Sequence, residues 1–417
     1  MQKFLVNGGN KLYGKIAVDT SKNAILPILA GSIMVRGEVV LHNVTYFEDV
    51  VNMLKILKSV GVRVEQKDDV LILNSKFISS CDVLEDYAKA LRASIFLLGP
   101  MLSTLKRARV AYPGGCAIGA RPIDIHLLGL EKLGTRVLDR HGIITVFGTN
   151  MKSASFCLPF PSVGATENLV MASVFLEGTT RLIGVAKEPE VVDLCNFLNK
   201  AGAKIFGAGS DEIVIHGVKK LHSVEYTPLA DRIVAGTYLF APLCTGGEIE
   251  IENVNQEHLK PIFDMLESNN CKLLKNDHSI VVRAGERLNG FGKVETLPYP
   301  FFPPDVQQPF TALASCCRGN TIVVENLFEN RFNHIGELIK MGAKITVKDR
   351  TAFIEGVDNL YGASVTAPDL RGCASLILAW LMATGYTTIS NIEVIERCYF
   401  KIDEKFASLG ADIRRIE

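Results

Sequence analysis

The sequence predicts an α/β protein of two domains, each made of three copies of one helix-and-strand unit, six repeats in all. Three observations carry this. A helix-to-strand phrase recurs six times at a spacing of about 70 residues, the mark of a repeat architecture. Each copy is accompanied by a second helix that is apolar nearly all round. The last copy stops before its hairpin is complete, and a matching segment stands at the opposite end of the chain.

The phrase reads LKSVGVRV around Gly61, LEKLGTRV around Gly134, LNKAGAKI around Gly202, LESNNCKL around Asn270, LIKMGAKI around Gly342 and FASLGADI around Gly410. In each, a helix ends at glycine or asparagine, the residues that tolerate the left-handed conformation just past a helix C-terminus, and a strand leaves at once. Upstream, five units carry a strand opened by glycine: GEVVLHNV, GTTRLIGV, GEIEIENV, GNTIVVENL and GYTTISNI. Downstream, a hairpin such as RVEQKDDVLIL or KITVKDRTAFIEG returns the chain. The second helices are NAILPILAGSIM, RASIFLLGPML, ENLVMASVFL, RIVAGTYLFAPL, FTALASCC and RGCASLILAWLMA. A helix with no polar face has to be buried on all sides.

Segment 4–23 resembles 353–371, with Leu12-Tyr13-Gly14 against Leu360-Tyr361-Gly362. The N-terminal strands are therefore expected to finish the sixth unit. That assigns residues 1–21 and 231–417 to one domain and 22–230 to the other. The chain then crosses near 21 and near 230, which leaves a cleft and permits hinge motion.

Composition bounds the function. Lys and Arg number 45 against 45 Asp and Glu, so no global basic field invites nucleic acid or an anionic membrane. An anionic ligand has to be gripped by a local cluster. The ten cysteines show no Cys-x-x-Cys and no zinc spacing, so no metal is expected, and most read as small core residues in a reducing compartment. The first residues lack an apolar signal segment and no run of 18 apolar residues occurs, so a cytoplasmic protein is expected.

Polar side chains stand at the junctions before the apolar helices: Lys22-Asn23, Arg92, Ser162-Val163-Gly164, Asp231-Arg232, Asp305 and Arg371. By repeat symmetry the helices of one domain run roughly parallel, so their N-termini, each with unpaired N–H groups and about half a positive charge, converge on one face. Any one of these residues reads equally well as an ordinary cap; the six together point to phosphate or carboxylate binding. A second set follows the opening strands: the loop Pro113-Gly114-Gly115-Cys116-Ala117-Ile118-Gly119-Ala120-Arg121-Pro122, then Arg331 and Arg397. Its glycines make a mobile loop, and a cysteine there beside arginine suits acid or nucleophile work. A lone cysteine is more often an inert core thiol; the flanking glycines and arginine tip Cys116 toward function.

These residues carry a resemblance. SKNAILP (21–27), LRASIFLLGPML (91–102), PGGCAIGARPIDIHLLGLEKLG (113–134), PSVGATENLVMA (161–172), EYTPLADRIVAGTYL (225–239), ENRFNHIGELIKMGA (329–343) and APDLRGCASLILA (367–379) resemble the UDP-N-acetylglucosamine 1-carboxyvinyltransferase family over essentially the whole chain. The resemblance implies two inside-out α/β domains, each of three βαβαββ repeats around a pseudo-threefold axis. It implies transfer of the enolpyruvyl group of phosphoenolpyruvate to the 3-hydroxyl of UDP-N-acetylglucosamine, in a cytoplasmic monomer with no cofactor. Cys116 would be the general acid and the target of fosfomycin, and Asp305 the base. Lys22, Arg121 and Arg397 would hold phosphate and carboxylate. Asn23, Arg92, Arg121, Pro122, Ser162, Val163, Gly164, Leu327, Arg331 and Arg371 would bind substrate along with Lys22 and Asp305.

The chain departs from the family pattern in three places. Phe301-Phe302-Pro303-Pro304-Asp305 stands for the usual Gly-Phe-Pro-Thr-Asp, Glu396-Arg397-Cys398-Tyr399-Phe400 for Asp-Arg-Gly-Tyr-Glu, and Phe160 for the lysine of some members. Two other readings stand beside this one. The shikimate-pathway enolpyruvyl transferase shares the repeat plan but lacks the cysteine loop. A catalytically silent repeat protein binding nucleotide sugars or proteins is the other.

Overall fold

Each helix-to-strand phrase closes on a left-handed residue. The φ angles are 101° at Gly61, 88° at Gly134, 105° at Gly202, 61° at Asn270, 98° at Gly342 and 103° at Gly410. Strands leave directly, as at Arg63–Lys67, Arg136–Arg140 and Lys344–Lys348. Both regularities come from a computed structural model, which describes residues 2–112 and 122–417.

The described strands form six small sheets, five of four strands and one of three. Each four-stranded sheet combines one parallel pairing with two antiparallel ones. In the simplest case Gly292–Thr296 leads through helix Pro304–Ala314 to its parallel neighbour Asn320–Glu325, and Lys344–Lys348 and Thr351–Glu355 complete the sheet. The same plan recurs from Ser364–Thr366 through helix Leu370–Met382 to Tyr386–Ser390. In that sheet Lys3–Asn7 lies between Tyr386–Ser390 and Asp412–Ile416, antiparallel to both. Strand Tyr13–Ala17 pairs in parallel with Glu248–Glu252, so two neighbouring strands of one sheet are separated in the chain by the other unit and helix Arg232–Thr245.

The described residues divide into two compact units, 2–19 with 230–417 and 20–112 with 122–229. Each has its own apolar core. In the first, helices Arg232–Thr245, Pro304–Ala314 and Leu370–Met382 pack on one another, and residues 371–381 are all buried. The sheets lie outside them. Along Glu248–Glu252, Ile249 and Ile251 are buried while the glutamates are partly exposed, the alternation of a sheet covered on one face. In the second unit helix Leu98–Leu105 packs on Val163–Ser173, and Lys22–Gly31 on Pro189–Lys200. No described helix is long and apolar enough to cross a membrane.

One apolar helix differs from the sequence reading. The stretch expected as a single helix over 92–102 begins as a 3-10 turn, Arg92–Leu97, and becomes α-helical only at Leu98–Leu105. Asn168 of the neighbouring helix is the reason. Its Oδ1 accepts from Gly99 N at 2.8 Å, and its Nδ2 donates to Ile95 O at 3.0 Å. Gly99 and Ile95 are the pair that would form one rung of an α-helix, and the carboxamide is inserted between them. Asn168→Ala is expected to destabilise the protein by about 1–3 kcal/mol, because it leaves the buried Gly99 N–H without its acceptor, while Ile95 O still accepts from Leu98 N. Urea unfolding tests this. An unchanged midpoint would mean that the rung closes on itself and that Asn168 does not hold the turn.

Candidate functional site

In the unit formed by 2–19 and 230–417, Asp305 occupies the first turn of helix Pro304–Ala314, where a carboxylate complements the helix dipole. Two guanidinium groups converge on it. Arg331, in the loop after strand Asn320–Glu325, donates from Nη2 to Oδ1. Arg371, at the start of helix Leu370–Met382, donates from Nη2 to Oδ2 at 3.1 Å. The arginine side chains are 3% and 4% exposed, and that of Asp305 is 27% exposed. One carboxylate thus faces the medium while two buried cations stand behind its charge.

Backbone and amide contacts hold the cations in place. Asp369 Oδ1 caps helix Leu370–Met382 by accepting from Arg371 N and Gly372 N, both at 3.0 Å. Gln308 donates from Nε2 to Arg331 O at 3.1 Å and to Asp369 Oδ2 at 3.3 Å. Burial pushes the pKa of neighbouring His334 down to about 4, so it adds no cation. Glu325 Oε1 accepts from Leu327 N at 2.9 Å and Phe328 N at 3.1 Å, which sets the loop carrying Leu327. The Phe328 ring lies 4.7 Å from the Arg331 guanidinium carbon. Arg397 ends the 3-10 turn Ile392–Arg397 and is partly buried.

In the other unit, Lys22 and Asn23 open helix Lys22–Gly31, and Lys22 Nζ lies 2.7 Å from Asp49 Oδ2. Asp49 is itself buried, in the first turn of helix Glu48–Ser59. Arg92 opens the 3-10 turn held by Asn168. Ser162 caps helix Val163–Ser173, accepting from Ala165 N at 3.4 Å. Space is tight two residues on: a Cβ at Gly164 would lie 3.1 Å from His126 Cε1 and 3.2 Å from Phe96 Cε1, so a ring would have to give by a few tenths of an ångström to admit it. The His126 ring is oriented by Asn168, whose Nδ2 lies 2.9 Å from His126 Nδ1. Since that amide nitrogen can only donate, His126 carries its own proton on Nε2. Pro122 is exposed, ahead of helix Asp124–Lys132. Cys116 and Arg121 lie outside the described residues.

Of the residues named from sequence, the structure joins Asp305, Arg331 and Arg371 into one hydrogen-bonded group. It places Lys22 with Asp49, a partner the sequence did not suggest. An acid in a helix's first turn is so common that Asp49 carried no signal. Gln308 and Asn168 were missed for a similar reason, because they read as polar interruptions of apolar helices. Among the described residues no group of three or more His, Cys, Asp or Glu could hold a metal ion.

A family model described as EPSP synthase (3-phosphoshikimate 1-carboxyvinyltransferase) matches residues 6–406. UDP-N-acetylglucosamine 1-carboxyvinyltransferase 2 of Caldanaerobacter subterraneus subsp. tengcongensis is 42% identical over 416 residues, covering 100% of both chains. The protein of the same name from Carboxydothermus hydrogenoformans is 43% identical over 418 residues, again covering 100% of both. Among solved structures, the enolpyruvyl transferase NikO from Streptomyces tendae superposes with a TM-score of 0.90 at 22% identity, over 99% of this chain and 98% of that one. EPSP synthase from Acinetobacter baumannii follows at a TM-score of 0.79 and 19% identity, over 100% of each. The structural likenesses bear on the fold alone, whereas identity above 40% along the whole chain bears on the family. On that ground the chain belongs to the UDP-N-acetylglucosamine 1-carboxyvinyltransferase family of enolpyruvyl transferases.

Proposed function

We propose that the protein transfers the enolpyruvyl group of phosphoenolpyruvate to the 3-hydroxyl of UDP-N-acetylglucosamine with release of phosphate, the first committed step of peptidoglycan synthesis. The observation that carries this reading is full-length identity above 40% to proteins named for that transfer. The Asp305 group supports it chemically. Two guanidiniums keep the carboxylate ionised and aimed, and an ionised carboxylate can take a proton. A weak base suffices, because the sugar hydroxyl becomes strongly acidic as its oxygen bonds to a cationic carbon.

In this reaction Cys116 gives a proton to the methylene carbon of phosphoenolpyruvate, and the adjacent carbon becomes electrophilic. The 3-hydroxyl attacks that carbon while Asp305 takes its proton, giving a tetrahedral phospho-ketal. Loss of phosphate, with a proton from the new methyl group, restores the enol ether. Lys22, Arg121 and Arg397 clamp the phosphate and carboxylate. Asn23, Arg92, Pro122, Ser162, Val163, Gly164, Leu327, Arg331 and Arg371 bind or border the sugar nucleotide. Such a path needs positioning, anion clamps and an acid–base pair. We further propose that the protein acts in the cytoplasm, as a monomer, and is alkylated by fosfomycin at Cys116.

Phosphate release from phosphoenolpyruvate tests the reading. Release is expected with UDP-N-acetylglucosamine and not with shikimate 3-phosphate. The reverse pattern would establish the shikimate-type activity named in the family-model description, and no release with either would leave a binding protein. Within the proposed reaction, Arg397→Ala should raise the KM for phosphoenolpyruvate by roughly 10- to 100-fold, the worth of a charge-assisted hydrogen bond to an anion. The KM for UDP-N-acetylglucosamine should hardly move. Equal losses for both substrates would assign Arg397 to general structure.

A further inference from the structure

The second terminal nitrogen of Arg371 meets a thiol that the proposed reaction does not use. Cys398 is 2% exposed. Its Sγ lies 3.6 Å from Arg371 Nη1 and 3.7 Å from Asp231 Oδ2. Chemistry fixes both directions. A guanidinium only donates, so the sulfur accepts from Arg371; a carboxylate only accepts, so the S–H donates to Asp231. One neutral thiol satisfies both contacts at once. A thiolate would instead face the Asp231 carboxylate with no proton between them.

Asp231 is anchored independently. Its Oδ1 accepts from Ile233 N at 2.8 Å and Val234 N at 3.1 Å, capping helix Arg232–Thr245. The sulfur thus stands as a spacer between a fixed carboxylate and a guanidinium whose other nitrogen, Nη2, serves Asp305. Arg371 Nη1 also reaches Tyr399 OH at 3.4 Å, and that hydroxyl is 2.8 Å from Thr237 Oγ1. Both Nη1 partners are weak and neutral, so the guanidinium charge is left to Asp305. Without the spacer, Asp231 would draw the buried cation to itself, since unlike charges in a low-dielectric setting attract strongly.

We propose that Cys398 is a positioning residue: its thiol keeps Arg371 on Asp305 by standing between Arg371 and Asp231. This rests on the reading of Asp305 as the base. The sign of the effect follows from the surrounding charges. Asp305 faces Arg331 and Arg371 directly; Arg371 faces Asp231, Tyr399 and Cys398; Asp369 and His334 adjoin through Gln308. Moving Arg371 toward Asp231 removes positive charge from Asp305, so its carboxylate becomes less stable and its pKa rises.

The experiment compares the wild-type protein with Cys398→Ala, Cys398→Val, Cys398→Ser and the double variant Cys398→Ala/Asp231→Asn. Two readouts are taken: the pH profile of kcat/KM for phosphate release, and the titration midpoint of the Asp305 carboxyl carbon by NMR, assigned with Asp305→Asn. Cys398→Ala should lower kcat by about tenfold, leave both KM values within about twofold, and move the acidic limb and the Asp305 midpoint upward by about half a unit or more. Cys398→Val, which fills the thiol's volume without a donor or acceptor, should do the same if alanine leaves a disruptive hole. Cys398→Ser should restore both readouts, because a hydroxyl accepts and donates as the thiol does. The double variant should restore the Asp305 midpoint, because the competing charge is gone. An Asp305 midpoint unmoved in both Cys398→Ala and Cys398→Val would overturn the proposal, as would a serine variant no better than alanine. If the wild-type protein released no phosphate, the enzymatic reading would fail by itself, and the NMR midpoints would still decide the role of Cys398.

Discussion

Cys116→Ala is expected to remove turnover by roughly a hundred- to ten-thousand-fold, the usual worth of a general acid, while leaving the fold and sugar-nucleotide binding intact. Protonation of an unactivated methylene carbon is the difficult step of the proposed path, and nothing else in the reaction as written delivers that proton. Cys116→Asp should keep activity, since a carboxylic acid can give a proton, and should escape fosfomycin, since a carboxylate opens an epoxide poorly. The other cysteines sharpen the test. Burial pushes the thiol of Cys195 up to about 12, that of Cys271 to about 11 and those of Cys316 and Cys317 to about 11 and about 12. Burial likewise raises Cys244 and Cys373. Thiols held neutral alkylate slowly. Cys157 is exposed and is the natural competitor. Mass mapping of fosfomycin adducts should find Cys116 labelled and the Cys116→Ala protein unlabelled. Adducts that persist in Cys116→Ala and map to Cys157 would show that the wrong cysteine was chosen.

Asp305→Ala should fail twice over. Removing the base is expected to cost about a hundred- to ten-thousand-fold in turnover. Removing the carboxylate also leaves Arg331 and Arg371, at 3% and 4% exposure, without the anion they share. Breaking a buried ion pair by deleting one partner typically costs about 3–5 kcal/mol, because the desolvated charge persists. Asp305→Asn keeps an acceptor for one guanidinium but not the charge, so it should recover only part of the lost stability while turnover stays low. Urea unfolding and phosphate release check both arms. Asp305→Ala that unfolds at the wild-type urea concentration would show that the arginines are not balanced by this carboxylate. Turnover within about tenfold of wild type would remove Asp305 from the role of base.

Sequence and tertiary structure divided the account along a physical line. The repeat plan was legible because its signals are short-range. A left-handed turn needs glycine or asparagine at one position, and Gly61, Gly134, Gly202, Asn270, Gly342 and Gly410 all adopt it. A helix such as Leu370–Met382 with no polar face is compelled inward whatever surrounds it. Candidate site residues could be named one at a time for the same reason, as charged side chains at the mouths of apolar helices.

What the sequence could not contain was their pairing. Asp305 meets Arg331 across 26 residues and Arg371 across 66, and Cys398 meets Asp231 across 167. Those distances close only when the sheets fix which helices stand together. The 3-10 turn at Arg92–Leu97 was hidden likewise, since the Asn168 carboxamide that opens it lies 73 residues from Ile95. Local conformational preference is decided by a residue and its near neighbours, so it can be read along the chain. A shared proton or a shared charge depends on ångström-scale separations in space, and these the packing of one repeat against the next alone decided.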